Sequence, residues 1–196
     1  FVGIFVFPEL VYGVIEPGQN YNPVEALDPV YLPFVDSKET WVRSSYDRSG
    51  GNADGSGYIR KENNKWLLLE ENGISGTINR IWMACPIKRI NTPTTPVLEI
   101  EDGQGRRQTI NLGNINGDSN LNTKYPLVLN EAQSSGGLVS YLPINFVNGV
   151  KVWALQQPNY FQINFSVSDG NVMELDQNGL TNLISKTKEL LIDIQI

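Results

Sequence analysis

The segment Ser44-Ser-Tyr-Asp-Arg-Ser-Gly-Gly-Asn-Ala-Asp-Gly55 gathers two carboxylates, a guanidinium, an amide, a phenol and three glycines into twelve residues. Asp47 and Asp54 are the first pair to weigh. Acid/base chemistry at a glycosidic bond needs two carboxyl groups, about 5 Å apart for retention of configuration and further apart for inversion. A glycine-rich loop allows close backbone approach and so brings such separations within reach. The same residues also have a structural reading. Asp47 can cap a turn or pair with an arginine such as Arg48, and Asp54 can head an Asp-Gly turn. A third reading makes Asp47, Asn52 and Asp54 oxygen ligands for calcium, but the spacing and closing glutamate of an EF-hand are missing. No metal or cofactor is assigned.

What the chain lacks narrows the chemistry further. Its 196 residues contain no histidine, which excludes a Ser-His-Asp or Cys-His apparatus and any histidine-ligated metal within the chain. The lone Cys85 sits in an apolar run and is read as a buried small hydrophobe, not a nucleophile. One cysteine leaves the compartment open between intracellular and secreted or cell-surface locations. The length suits one domain with a sizeable core. Apolar residues make up 40% and charged residues 18%, with a formal charge of −6. Such a composition is globular, and without a basic block it disfavours nucleic acid as a partner. Neutral ligands such as sugars fit better.

The elements that must position the motif read as short strands. Lys65–Glu70, Gly76–Ala84, Val97–Glu101, Arg107–Leu112, Gly137–Leu142, Val150–Leu155 and Tyr160–Val167 are apolar or alternating runs separated by turn residues. Asp102-Gly103 between two of them is a hairpin signal. Many short strands without βαβ alternation predict an all-β, antiparallel sandwich or barrel. One helix is expected near the C-terminus, where Leu180, Leu183, Ile184, Thr187, Leu190 and Leu191 recur at helical spacing. The closing Ile192–Ile196 alternates like a strand. Pro17, Pro23, Pro29 and Pro33, after Pro8, predict an extended arm, because proline cannot feed a central ladder. The domain division is therefore an N-terminal strand and arm over 1–40 and the β-domain over 41–196. The apolar stretch Phe1–Gly13 is too short to span a membrane and lacks the basic flank of a signal peptide. It reads as a strand, and as an assembly device if it pairs with another protomer. With no initiator Met, the chain is expected to be a fragment or a processed product.

Trp66, Trp82, Trp153 and Tyr141 could offer flat faces to sugars, but each lies in a strand-like alternation that also suits core packing. Ser134-Ser-Gly-Gly137 lacks the Lys-Ser/Thr ending of a phosphate loop and reads as a turn. Asn164-Phe-Ser166 has the form of an N-glycosylation acceptor.

Taken together, four segments resemble glycoside hydrolase family 172. Ser44–Gly55 is similar to its opening motif, S-S-Y-D-R-T-G-G-N-x-D-G. Asn72–Trp82 resembles a G-P-G-x-I-x-R-I-W strand, with Ser75 in place of proline. Ser134–Phe146 resembles S-x-G-G-x-x-x-Y-x-P-I-P-F, with Asn145 for the second proline. Tyr160–Phe165 resembles F-Y-Q-I-x-Y. The resemblance covers roughly residues 30 to 175. It implies an antiparallel jelly-roll β-sandwich, the first half of a double jelly roll assembled as homotrimers or higher homo-oligomers. The implied activity is a retaining one on α-D-fructofuranosides or D-arabinofuranosides, with two catalytic glutamates in the second half. Glu70, Glu71, Glu99, Glu101 and Glu131 match no such motif, so no catalytic residue is assigned. Tyr46, Asp47, Arg48, Asn52 and Asp54 carry over as residues that bind or shape a furanoside site. Double jelly rolls also resemble capsid subunits, which leaves a non-enzymatic assembly role as the alternative.

Overall fold

A computed structural model of the chain describes residues 39–84, 96–112, 126–131, 133–134, 136–168 and 177–194. The Pro-rich arm, the Phe1–Gly13 stretch and Cys85 lie outside these residues. Among the described residues there are eleven strands: β1 (Thr40–Ser44), β2 (Arg60–Glu62), β3 (Lys65–Asn72), β4 (Ser75–Ala84), β5 (Val97–Asp102), β6 (Arg107–Asn111), β7 (Val128–Leu129), β8 (Gly137–Ser140), β9 (Ile144–Phe146), β10 (Gly149–Ala154) and β11 (Tyr160–Ser168). One helix follows, α1 (Gln177–Ile194).

The pairing is nested. β1 pairs with β11, β3 with β10, β4 with both β8 and β9, and β5 with β6, all antiparallel. Winding a long hairpin in this way makes a jelly roll. It yields a six-stranded sheet in the order β1-β11-β4-β8-β7, with β9 also on β4, and a five-stranded sheet in the order β2-β3-β10-β5-β6.

Strand alternation builds the core between the sheets. Leu98 and Ile100 of β5, Val150, Val152 and Ala154 of β10, and Phe161, Ile163 and Phe165 of β11 point inward and are buried. Two irregularities re-aim side chains. The β4–β11 register shifts between Asn164 and Phe165, so the inward residues of β4 are Ile78, then Ile81 and Met83. The β3–β10 register shifts between Val152 and Trp153, which leaves Leu67, Leu68 and Leu69 all buried although alternation would turn one outward.

Local turn chemistry agrees with the sequence. Asn63 and Asn64 join β2 to β3 with φ of 48° and 61°, the pair of left-handed residues that a tight hairpin needs. The Asp102-Gly103 signal marks the β5–β6 hairpin. Asp102 caps it by accepting the amides of Gln104 (3.0 Å) and Arg106 (2.9 Å) and the Arg106 Nε (2.6 Å). Burial pushes the Asp102 carboxyl up, but these donors outweigh it and hold the group below the usual range. The Ser134 hydroxyl bonds the Gly137 carbonyl, so that segment is a turn feeding β8.

The helix is present, and it corrects one expectation. Residues 192–194 continue α1 and do not form a strand. Ile194 stands three residues beyond Leu191, so the terminal apolar alternation also satisfies helical spacing. The helix packs Leu183 and Ile184 against Leu127 in a small second cluster beside Leu142.

Phe165 is fully buried between Phe146 (ring centroids 6.3 Å) and Trp41 (6.2 Å). Phe165→Ala should cost about 3–5 kcal/mol of stability, read from the urea midpoint at unchanged m-value.

Candidate functional site

The Ser44–Gly55 segment leaves β1 as a compact loop. Ser45 extends the β1–β11 ladder: its amide donates to the Phe161 carbonyl (3.0 Å), and its hydroxyl accepts the Phe161 amide (3.1 Å). Asp47 then organises the turn. Its Oδ1 accepts the Ser49 amide (2.9 Å) and hydroxyl (2.7 Å), and its Oδ2 accepts the Ala53 amide (3.0 Å). A Cβ at residue 51 would come within 2.7 Å of that Oδ2, so a side chain there would displace the Asp47 carboxylate. Asp54 heads a single 3-10 turn, Asp54–Ser56, and its Oδ1 accepts the Asp47 amide (2.9 Å). Arg48 pairs with no carboxylate in the loop. It donates to the carbonyls of Tyr46 (3.3 Å), Gly57 (3.4 Å) and Ser44 (3.2 Å), and its guanidinium lies 4.4 Å from the Tyr46 ring centre.

The structure thus brings Tyr46, Asp47, Arg48, Asn52 and Asp54 into one loop but gives them unequal roles. Asp47, Arg48 and Asp54 hold its shape. Tyr46, 56% exposed, and Asn52 are open to solvent, and Arg48 is exposed as well although its guanidinium is bonded to backbone carbonyls. Among the described residues no cluster of three or more His, Cys, Asp or Glu side chains is arranged for a metal ion.

Beside the loop runs the outer face of the six-stranded sheet. Alternation turns Arg80 and Trp82 of β4 outward, opposite Asn164 and Gln162 of β11. Arg80 Nη1 bonds Gln162 Oε1 (3.0 Å) and Asn164 Oδ1 (3.3 Å). One cross-strand row runs Ser44–Gln162–Trp82–Val139, so the loop springs from the row that carries Trp82. A Cβ at Gly137 would lie 2.2 Å from the Trp82 indole nitrogen. The tryptophan therefore rests on a backbone that only glycine can supply. All four motif segments converge on this one sheet, though up to about a hundred residues separate them in sequence.

Arg80, Gln162 and Asn164 lie outside the loop chemistry that draws attention first. Their signal is polar residues alternating with core residues along two neighbouring strands. Of the aromatic candidates, Trp66 packs against the core, whereas Trp82 and Trp153 face outward and Tyr141 is exposed. Asn164 is half-buried in mid-strand with its amide held by Arg80, unlike the surface-loop asparagine that a glycosylation acceptor requires. The glutamates Glu70, Glu71, Glu99 and Glu101 belong to β3 and β5 of the other sheet. Glu131 is an exposed residue after β7.

Nested pairing and two antiparallel sheets make this an all-β jelly-roll sandwich. The GH172 first beta-sandwich domain model matches residues 36–172, and the chain belongs to that family. It is therefore a carbohydrate-active, glycoside-hydrolase-related domain. Comparison with curated proteins gives no match. Among the described residues no helix is long and apolar enough to cross a membrane.

The Ser49 hydroxyl first, then the Ala53 and Ser49 amides, hold the Asp47 carboxyl below the ordinary value of 3.8. A depressed folded pKa contributes stability that is present above the unfolded value and lost as pH falls through the folded one. The Ser49 and Ala53 amide resonances should therefore titrate with a midpoint below 3.8. Ser49→Ala should move that midpoint upward, and an unmoved midpoint would count against the assignment.

Proposed function

We propose that the chain is the carbohydrate-active domain of a retaining furanosidase acting on α-D-fructofuranosides or D-arabinofuranosides. The observation that carries this reading is the convergence of all four family motifs on one sheet and the loop at its edge. In this reading Tyr46 and Asn52 meet furanose hydroxyls, Trp82 and Arg80 form the adjoining floor, and Asp47, Arg48 and Asp54 fix the wall.

The Asp47 carboxylate suits support better than proton transfer. A carboxylate that accepts several amide and hydroxyl bonds stays ionised, whereas a general acid needs a raised pKa. The nucleophile and acid/base are glutamates from outside these residues. Glu70, Glu71, Glu99 and Glu101 sit on the opposite sheet, which supports that division. The reading further has the site completed at a contact between copies in a homotrimer or larger homo-oligomer. The exposed Trp41, Val42 and Tyr160 along β1 and β11 provide apolar area for such a contact.

Asp54→Ala removes the acceptor for the Asp47 amide and frees the wall. In the complete protein it should lower kcat/KM on an aryl α-D-fructofuranoside or D-arabinofuranoside at least about tenfold, or about 1.4 kcal/mol of transition-state stabilisation. Unchanged kinetics would sink the role of the wall. Absence of any furanoside hydrolysis by the unaltered complete protein would sink the activity itself.

A further inference from the structure

The outer face of the five-stranded sheet holds a second feature, separate from the Ser44–Gly55 loop. A cleft of about 420 Å³ crosses that face, with Trp153 of β10 in its wall. Around the indole stand Glu62 and Lys65 from the β2–β3 hairpin, Glu99 from β5, and Gln108 and Thr109 from β6. The volume falls within the range of about 300–1,000 Å³ usual for small-ligand clefts.

The register explains the construction. One cross-strand row reads Arg60–Leu67–Trp153–Glu99–Thr109. Leu67 is fully buried yet lies outside the main core cluster. Its neighbours on this face are Arg60 and Trp153, and the Arg60 guanidinium lies 5.7 Å from the Trp153 ring centre. Trp153 thereby stands beside Leu67 and the Arg60 guanidinium on one side, with Glu99 and Thr109 on the other. The shift in register between Val152 and Trp153 sets this placement.

The charges of the face are already matched. Arg60 pairs with Glu62 and Glu70, Lys151 with Glu70, Lys65 with Glu99, and Arg107 with Glu101. Four cations thus stand against four carboxylates, and the face carries no net charge from these groups. An anionic or cationic ligand would have to break pairs to find a partner. A neutral, hydroxyl-rich ligand would not. It can lay a C–H face on the indole and exchange hydrogen bonds with Glu99 and Thr109, whose carboxylate and hydroxyl offer both acceptors and a donor.

We propose that this cleft is a carbohydrate-binding site for a neutral oligosaccharide, with Trp153 as the stacking platform. It holds sugar without transforming it and lies on the sheet opposite the family motifs. The proposal does not depend on furanosidase activity.

Hydroxyl-radical footprinting of the intact protein tests it, with fructo-, arabino- and cello-oligosaccharides as neutral probes and oligogalacturonate as the anionic control. At least one neutral probe should protect Trp153 from oxidation more than Trp41 and Trp82, and oligogalacturonate should not. Trp153→Ala should weaken binding of that probe at least about tenfold by calorimetry. Trp153→Tyr, which keeps an aromatic face beside Leu67, should retain it. Protection of Trp153 by no neutral probe, or by oligogalacturonate alone, would overturn the proposal. So would protection confined to Tyr46 and Trp82, an outcome that would leave the furanosidase reading intact.

Discussion

The ladder between β4 and β11 is the constraint on which the rest of this domain depends. It runs from Tyr160↔Ala84 to Ser168↔Ser75 and contains one register shift. Without that shift, alternation would place Ile78 and Arg80 on the same face. With it, Ile78, Ile81 and Met83 all reach the core, while Arg80 and Trp82 face outward beside Asn164 and Gln162. β11 also carries β1 on its other edge, and β4 carries β8 and β9. The same ladder therefore closes the core and assembles the motif-bearing face.

The loop after β1 depends on this ladder through Ser45, whose two bonds to Phe161 fix where the loop begins. Beyond that point the polar groups of the motif mostly satisfy one another. Asp47 and Asp54 accept backbone amides of the loop, and Arg48 donates to three carbonyls. A charged side chain bonded to the backbone in this way is preorganised, since its geometry is set before any ligand arrives. A dense charged motif can thus be rigid before any ligand arrives, and in the proposed reading it serves the site by that rigidity.

Much of the fold was legible in the sequence, for physical reasons that also mark the limits. Strands such as Val97–Asp102 and Tyr160–Ser168 show clean period-two burial, so alternation locates them. The Asp102-Gly103 hairpin follows from turn chemistry. Alternation alone could not reveal the two register shifts, because a shift depends on the partner strand. That is why Leu67–Leu69 reads as one apolar run, with the residue that the shift inserts, Leu68, indistinguishable from its neighbours. Ile192–Ile194 was ambiguous because apolar residues two and three apart satisfy both periods. In the loop the residue types were legible but not their partners. Whether Arg48 meets a carboxylate or a carbonyl is decided by three-dimensional reach.

The two outer faces of the sandwich differ in a way that bears on division of labour. The six-stranded sheet presents amides, one arginine and Trp82, and the motif loop rises at its edge. The five-stranded sheet presents a lattice of matched ion pairs around Trp153. Amide-rich surfaces offer directional bonds at little desolvation cost, which suits the sugar-contacting role proposed for that face. Paired charges resist rearrangement, because separating one pair leaves two groups unsatisfied. Such a face can hold an indole in fixed orientation while contributing no field of its own. On the two proposals together, a saccharide held on one sheet would lie across the core from the face that carries the family motifs. The two surfaces share only the core between them.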